Sequence, residues 1–179
     1  MPLEAPAVPT QATLIDRWTQ IVSQHPELFE DALERIETDA FGNILMSPPP
    51  DPTHQKRGMR IAILLETLLP GEGTVPECAV VTDAGIKIPD VIWLAPERAD
   101  ELQQNKAIVP APDICVEVRS PGNTIAELHQ KRDAYFRAGA KEVWICDSTN
   151  RMTFFDLAGE INRSKICPDF PLVIQPYRQ

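Results

Sequence analysis

Apolar and polar positions change their period several times along the chain, and each change marks an element. Over residues 13–22, Leu14, Trp18 and Ile21 or Val22 recur at helical spacing, which predicts a first helix behind a loose Pro- and Ala-rich arm at 1–10. Residues 33–38 alternate, and with 43–46 they flank Asp39-Ala-Phe-Gly42, the pattern of a hairpin with Gly42 in its turn. Pro-rich residues 48–52 end the hairpin. Thr53 then reads as the cap of a helix reaching about Leu69, with apolar cover from Met59, Ala62, Ile63, Leu65 and Leu69. Residues 77–81 and 87–94 read as strands joined by a turn at 82–85, and 96–104 as a short peripheral helix. A third apolar strand is expected at 113–118. Thr124-Ile-Ala-Glu127 matches a capping box, opening a helix that runs to about Ala138 and stops at Gly139. Residues 142–146 form a buried strand, Asn150 turns the chain into 152–155, and Phe170 with 172–174 should return to the core. This order predicts an α/β (α+β) fold, a mixed sheet flanked by helices, in a single domain spanning 11–179.

Charge and cysteine usage narrow the classes. The net charge of −9 argues against a general nucleic-acid-binding surface. Its distribution softens that objection: residues 1–52 hold nine acids against two bases (Arg17 and Arg35), whereas 53–179 hold seventeen against fifteen. No apolar run is long enough to span a membrane, and residues 1–10 do not read as a signal peptide, so the cytoplasm is the expected location. Cys78, Cys115, Cys146 and Cys167 show no metal-ligand spacing; Cys115 and Cys146 read as small core residues.

Two acids stand out against this background. Asp90 opens Val91-Ile92-Trp93-Leu94, and Glu117 interrupts Ile114-Cys115-Val116 and Val118. An ionised carboxylate among such neighbours is costly unless it is paired or holds a metal. If the two strands pair, Asp90 and Glu117 can converge on one divalent ion, with the Val118 carbonyl as the natural third ligand and water completing the shell. Such an ion acidifies a water and stabilises charge on a phosphate under attack.

The next helix supplies a lysine. Lys131 lies three residues after Leu128 and four before Tyr135, on or beside the apolar face. It could steady the attacking water or neutralise developing charge; equally, its stem could cover core while its amine reaches solvent. Arg119 shares the face of Glu117, stays protonated, and could grip a phosphate but not act as a base. His54, in a first helical turn, reads as a surface histidine, and Glu66 as a weaker second carboxylate that a wet helix face explains as well.

In order and spacing these residues resemble the Uma family of endonucleases, a branch of the restriction-endonuclease-like PD-(D/E)xK superfamily. The likeness runs from about Glu37 onward. It rests on the hairpin and Met-Ser-Pro-Pro of 39–50, His54, Pro89-Asp90-Val91 and Asp113-Ile-Cys-Val-Glu117-Val-Arg-Ser120-Pro121. Lys131, Tyr135 and Gly139 at intervals of four, and Glu142-Val-Trp-Ile-Cys-Asp147, complete it. The resemblance implies a restriction-endonuclease-like mixed sheet flanked by helices and a Mg²⁺-dependent (Mn²⁺ also allowed) phosphodiesterase site. Asp90 and Glu117 would be the metal carboxylates and Lys131 the motif lysine, moved from strand to helix. Arg119 stands where the wider superfamily has its strand lysine, and Glu127 where the family often has aspartate. His54, Glu66, Arg119 and Tyr135 are auxiliary candidates. The expected substrate is DNA, with a homodimer left open.

Two rival readings remain at this point. One is a non-catalytic interaction or regulatory module that keeps the nuclease fold, favoured by the acidity. The other is a metal-dependent hydrolase of a smaller phosphoester.

Overall fold

The computed structural model describes residues 9–26, 35–47, 51–71, 73–98, 100, 107 and 110–175. The expected arm, the start of the 33–38 strand and most of the 96–104 helix lie largely outside these residues; of that helix, Pro96–Arg98 is described as a single 3-10 turn.

Helix α1 (Gln11–Gln24) begins where the Thr10 hydroxyl accepts from the Thr13 N–H, and it buries Leu14 and Trp18. The hairpin follows, with β1 (Arg35–Thr38) antiparallel to β2 (Ile44–Ser47). Asp39 Oδ1 shapes its turn by accepting from the N–H groups of Phe41 and Asn43, while Gly42 takes a φ of +83°. Helix α2 (Pro52–Leu68) is capped by Asp51, not Thr53. Pro52 fits the first helical position because its missing N–H would be unbonded there, and Asp51 accepts from both Thr53 and His54.

Where a pair of strands is expected at 77–94, the chain forms four over 74–93. Strand β3 (Thr74–Pro76) comes first, β4 (Val80–Thr82) and β5 (Gly85–Lys87) form a separate hairpin, and β6 (Val91–Trp93) joins the main sheet. Pro89 has no N–H to continue a ladder, so the run 87–94 breaks at Pro89-Asp90 and passes from one sheet to another. Glu77, with a φ of +53°, ends β3 instead of opening a strand.

The central sheet runs β10-β9-β8-β7-β6-β3, with β7 (Ile114–Val118), β8 (Glu142–Cys146), β9 (Met152–Asp156) and β10 (Gly159–Ile161). Only the β7–β8 pair is parallel, and helix α3 (Ile125–Arg137) makes its crossover. The Thr124–Glu127 capping box is present, and Gly139 ends the helix at φ +107°.

Strand alternation divides the core. Val91, Trp93, Val116, Val118, Trp144 and Phe154 pack with Ile61 and Leu65 of α2 on one face, joined by Phe170 and Ile174 of the returning tail. Ile92, Cys115 and Val143 pack against Tyr135 of α3 and Ala138 just past its end on the other. The β4–β5 hairpin leans on β1 so closely that a Cβ at Gly85 would lie 2.2 Å from the Asp39 carbonyl oxygen. There Ile86 N–H donates to Thr38 Oγ1 and Lys87 Nζ to the Thr38 carbonyl, both at 2.8 Å. That contact sets β1 beside the ends of β6 and β7. Among the described residues no helix is long and apolar enough to cross a membrane.

Candidate active site

The register of β6 against β7 brings the two acids together. Val91 pairs with Val116, and one step further along this antiparallel ladder Asp90 comes level with Glu117. Both are buried, with Asp90 4% and Glu117 0% exposed. Oδ2 of Asp90 accepts from the Val118 N–H at 2.5 Å and lies 3.3 Å from His54 Nε2, while Oδ1 pairs with the Arg35 guanidinium. His54 Nε2 is also 2.9 Å from the Val118 carbonyl. A carbonyl can only accept, so Nε2 carries the hydrogen.

Glu117 is held from α3. Its Oε1 accepts from the Tyr135 hydroxyl at 2.6 Å and lies 3.3 Å from Lys131 Nζ; its Oε2 is buried without a hydrogen-bond partner. The second lysine contact is Glu37, whose Oε1 accepts from Lys131 Nζ at 2.6 Å and from the Ile88 N–H at 3.0 Å. Lys87 Nζ stands 3.9 Å from the other Glu37 oxygen. Arg35 and Glu37 are two apart on β1 and therefore share a face, the one that meets the sheet ends.

The two acids are driven in opposite directions. Burial disfavours the charge on Asp90, but the His54 hydrogen bond and the Arg35 guanidinium outweigh it, so the pKa falls below the ordinary value. Burial dominates at Glu117, where Lys131 offsets only part of it and Asp90 and Glu37 add repulsion; its pKa rises. Lys131 is desolvated too, yet Glu117 and Glu37 raise its pKa and keep it an ammonium. Burial, only partly offset by Glu37, leaves Lys87 lowered.

A cavity of about 660 Å³ opens over this layer, between the β1–β2 hairpin, the start of α2, the loop at 120–123 and α3. Its charged wall carries both signs: Arg35, His54, Lys87 and Lys131 stand with Glu37, Asp51 and Glu127. Asp90 and Glu117 lie behind that wall.

The structure thus brings Asp90, Glu117, Val118, Lys131 and Tyr135 together. It corrects one expectation and decides two readings that the sequence left open. His54 is not on the surface: it is 5% exposed and binds Asp90 and Val118. Glu66 is exposed, on the outer side of α2, because the inward stripe is Ile61 and Leu65. Arg119 is half-buried and its N–H extends the β7–β8 ladder to the Cys146 carbonyl, but it is not part of the cavity wall. Sequence reasoning missed Arg35, Glu37 and Lys87. The alternation of 33–38 carried a signal for the first two, since it placed Arg35 and Glu37 on one face.

Among the described residues no cluster of three or more His, Cys, Asp or Glu side chains could hold a metal ion. A Mg²⁺ site here would therefore have to rest on two carboxylates, a carbonyl and water. The donor chemistry fits: every candidate ligand is an oxygen, and Glu117 Oε2 is a buried carboxylate oxygen left unsatisfied.

A mixed sheet with α2 and α3 on opposite faces, and acids meeting across its antiparallel strands, is the restriction-endonuclease-like fold. The structure superimposes on the crystal structure of "a putative nuclease belonging to DUF820" from Anabaena variabilis ATCC 29413, with a TM-score of 0.65 and 14% identity. The match covers 78% of this chain and 87% of that one. At this identity the likeness shows the fold. No curated protein matches the sequence. The chain itself belongs to the Uma2 family, described as "Putative restriction endonuclease", whose model matches residues 22–172.

Proposed function

We propose that this protein is a cytoplasmic, divalent-metal-dependent endonuclease that hydrolyses DNA phosphodiester bonds. One observation carries the reading: two buried acids lie level across the β6–β7 ladder, and one keeps an unpartnered oxygen behind a cavity whose lining includes Arg35, Lys87 and Lys131. The family description and the nuclease fold of the Anabaena protein support it.

Asp90, Glu117 and the Val118 carbonyl would hold Mg²⁺ or Mn²⁺. A bound ion supplies a more acidic water and charge stabilisation at phosphorus. The chain's own groups do the positioning. Tyr135 and Lys131 fix Glu117 Oε1, which leaves the unpartnered Oε2 as the oxygen available to a ligand. His54 orients both Asp90 and the Val118 carbonyl from α2. Lys131, kept protonated by Glu37 and Glu117, stabilises negative charge and steadies the attacking water; an ammonium so held is not the proton acceptor. Arg35 and Lys87 offer further positive charge to a phosphate chain in the cavity.

The test is a cleavage assay on supercoiled and linear DNA with Mg²⁺ and with Mn²⁺. Wild type should cut with metal and not with a chelator, and Glu117→Gln should not cut. If wild type cuts no DNA form with either ion, the non-catalytic module takes its place.

A further inference from the structure

Arg35 stands out because it sits where a metal's charge would be needed. Asp90 has one oxygen, Oδ2, committed to the Val118 N–H and His54, and the other, Oδ1, is taken by the Arg35 guanidinium. Oδ1 is therefore the oxygen an arriving cation must contend for. Arg35 lines the cavity, and Asp90 lies behind it, so the guanidinium also screens the acid from solvent.

We propose that Arg35 is a built-in counter-ion that competes with the divalent cation for Asp90 and yields Oδ1 when the ion binds. The proposal rests on the metal site put forward above. Three features favour exchange over a permanent ion pair. Arginine cannot make room by losing its proton, so a divalent ion arriving at Oδ1 meets a fixed positive charge that repels it. The guanidinium has an alternative partner at hand, since its Nη2 also reaches Oε1 of Glu77 at 3.3 Å, and the Glu77 side chain is 58% exposed. Glu77 is held there by a φ of +53°, a conformation uncommon outside glycine. Finally, Arg35 Nε is buried without a hydrogen-bond partner, so its present seat is incompletely satisfied. Lys131, by contrast, has Glu37 and Glu117 on the same ammonium and stays in place.

The experiment is Mn²⁺ titration calorimetry on the full chain, comparing wild type with Arg35→Ala and Arg35→Gln, alongside urea unfolding with and without Mn²⁺. Removing the competitor should tighten Mn²⁺ binding by about tenfold or more, a coupling in the usual range for two ligands that exclude each other. The stability lost by the metal-free variants should be largely restored at saturating Mn²⁺. A purely structural Arg35 gives the opposite result: equal or weaker Mn²⁺ affinity in both variants, with a stability loss that metal does not repair. That would overturn the proposal while leaving the metal site intact. Should neither variant fold, wild-type guanidinium NMR decides, because Mg²⁺ should speed solvent exchange at Arg35 and an unchanged signal under bound Mg²⁺ would refute the exchange. Absence of any Mn²⁺ or Mg²⁺ binding by wild type at millimolar concentration would remove the metal reading and this one with it.

Discussion

The hydroxyl of Tyr135 donates to Oε1 of Glu117 across 2.6 Å, and both side chains are fully buried. Burial, and then the carboxylates around it, push the phenol well above its ordinary pKa, so it remains a donor at any working pH. Tyr135→Phe keeps the ring and removes only this bond. It should cost about 1–3 kcal/mol in urea unfolding, the penalty for stranding a buried polar group. Saturating Mn²⁺ should narrow the gap if the ion satisfies Glu117 instead.

Metal binding should be visible without catalysis. An ion that binds only the folded state stabilises it by mass action, about 2.7 kcal/mol at a hundredfold excess over Kd. Mg²⁺ or Mn²⁺ should therefore raise Tm in calorimetry. Asp90→Asn should abolish the rise; an equal rise in that variant would place the ion elsewhere.

Lys131→Ala should reduce cleavage at least about a hundredfold, in the range for losing a group that stabilises developing charge. Because it removes the ammonium that Glu37 and Glu117 share, while their Ile88 N–H and Tyr135 bonds remain, the same change should lower stability by about 1–3 kcal/mol in the absence of metal. Folding must be checked by circular dichroism in the assay buffer. Arg119→Ala should leave kcat within about twofold and express any effect in KM, since Arg119 is half-buried and is not part of the cavity wall.

Acid stability should report on Asp113, which lies outside the site. Burial opposes its charge, but the Ala95 N–H, Lys141 and Arg98 outweigh it and hold the pKa below 3.8. A carboxylate depressed in the folded state adds stability that is complete above its unfolded value and fades as pH falls through the folded one. Asp113→Asn should be less stable than wild type near pH 7 by about 1.5–3 kcal/mol. The difference should shrink in denaturation curves taken below pH 3.8. A gap independent of pH would mean that packing, not charge, is lost.

The parts of the site that could be read in advance were those that violate burial. Asp90 and Glu117 were legible because each breaks an apolar run, and Lys131 because helical spacing set it beside Leu128 and Tyr135. Arg35 and Glu37 were not, since alternation says which residues share a face but not that the charged face turns inward. On β1 it does, against the ends of β6 and β7. His54 was misread for a related reason: a polar residue in a first turn is ordinarily wet, and only the packing of α2 on Val116 and Val118 buries it. The break at Pro89 and the cap at Asp51 were within reach of proline chemistry alone.

Lys131 and Glu37 touch across 94 residues of sequence, while Asp90 and the Val118 N–H meet across 28. The charges of the site are thus neutralised by partners made at very different times. On a ribosome, the acids of β1, β6 and β7 emerge before the lysine that reconciles two of them. A nascent chain ending short of α3 can already pair Arg35 with Asp90 and Asp90 with the Val118 N–H, but it holds Glu37 and Glu117 without Lys131. Completion of the charged centre waits for the crossover helix, which makes it a late event in the history of each molecule.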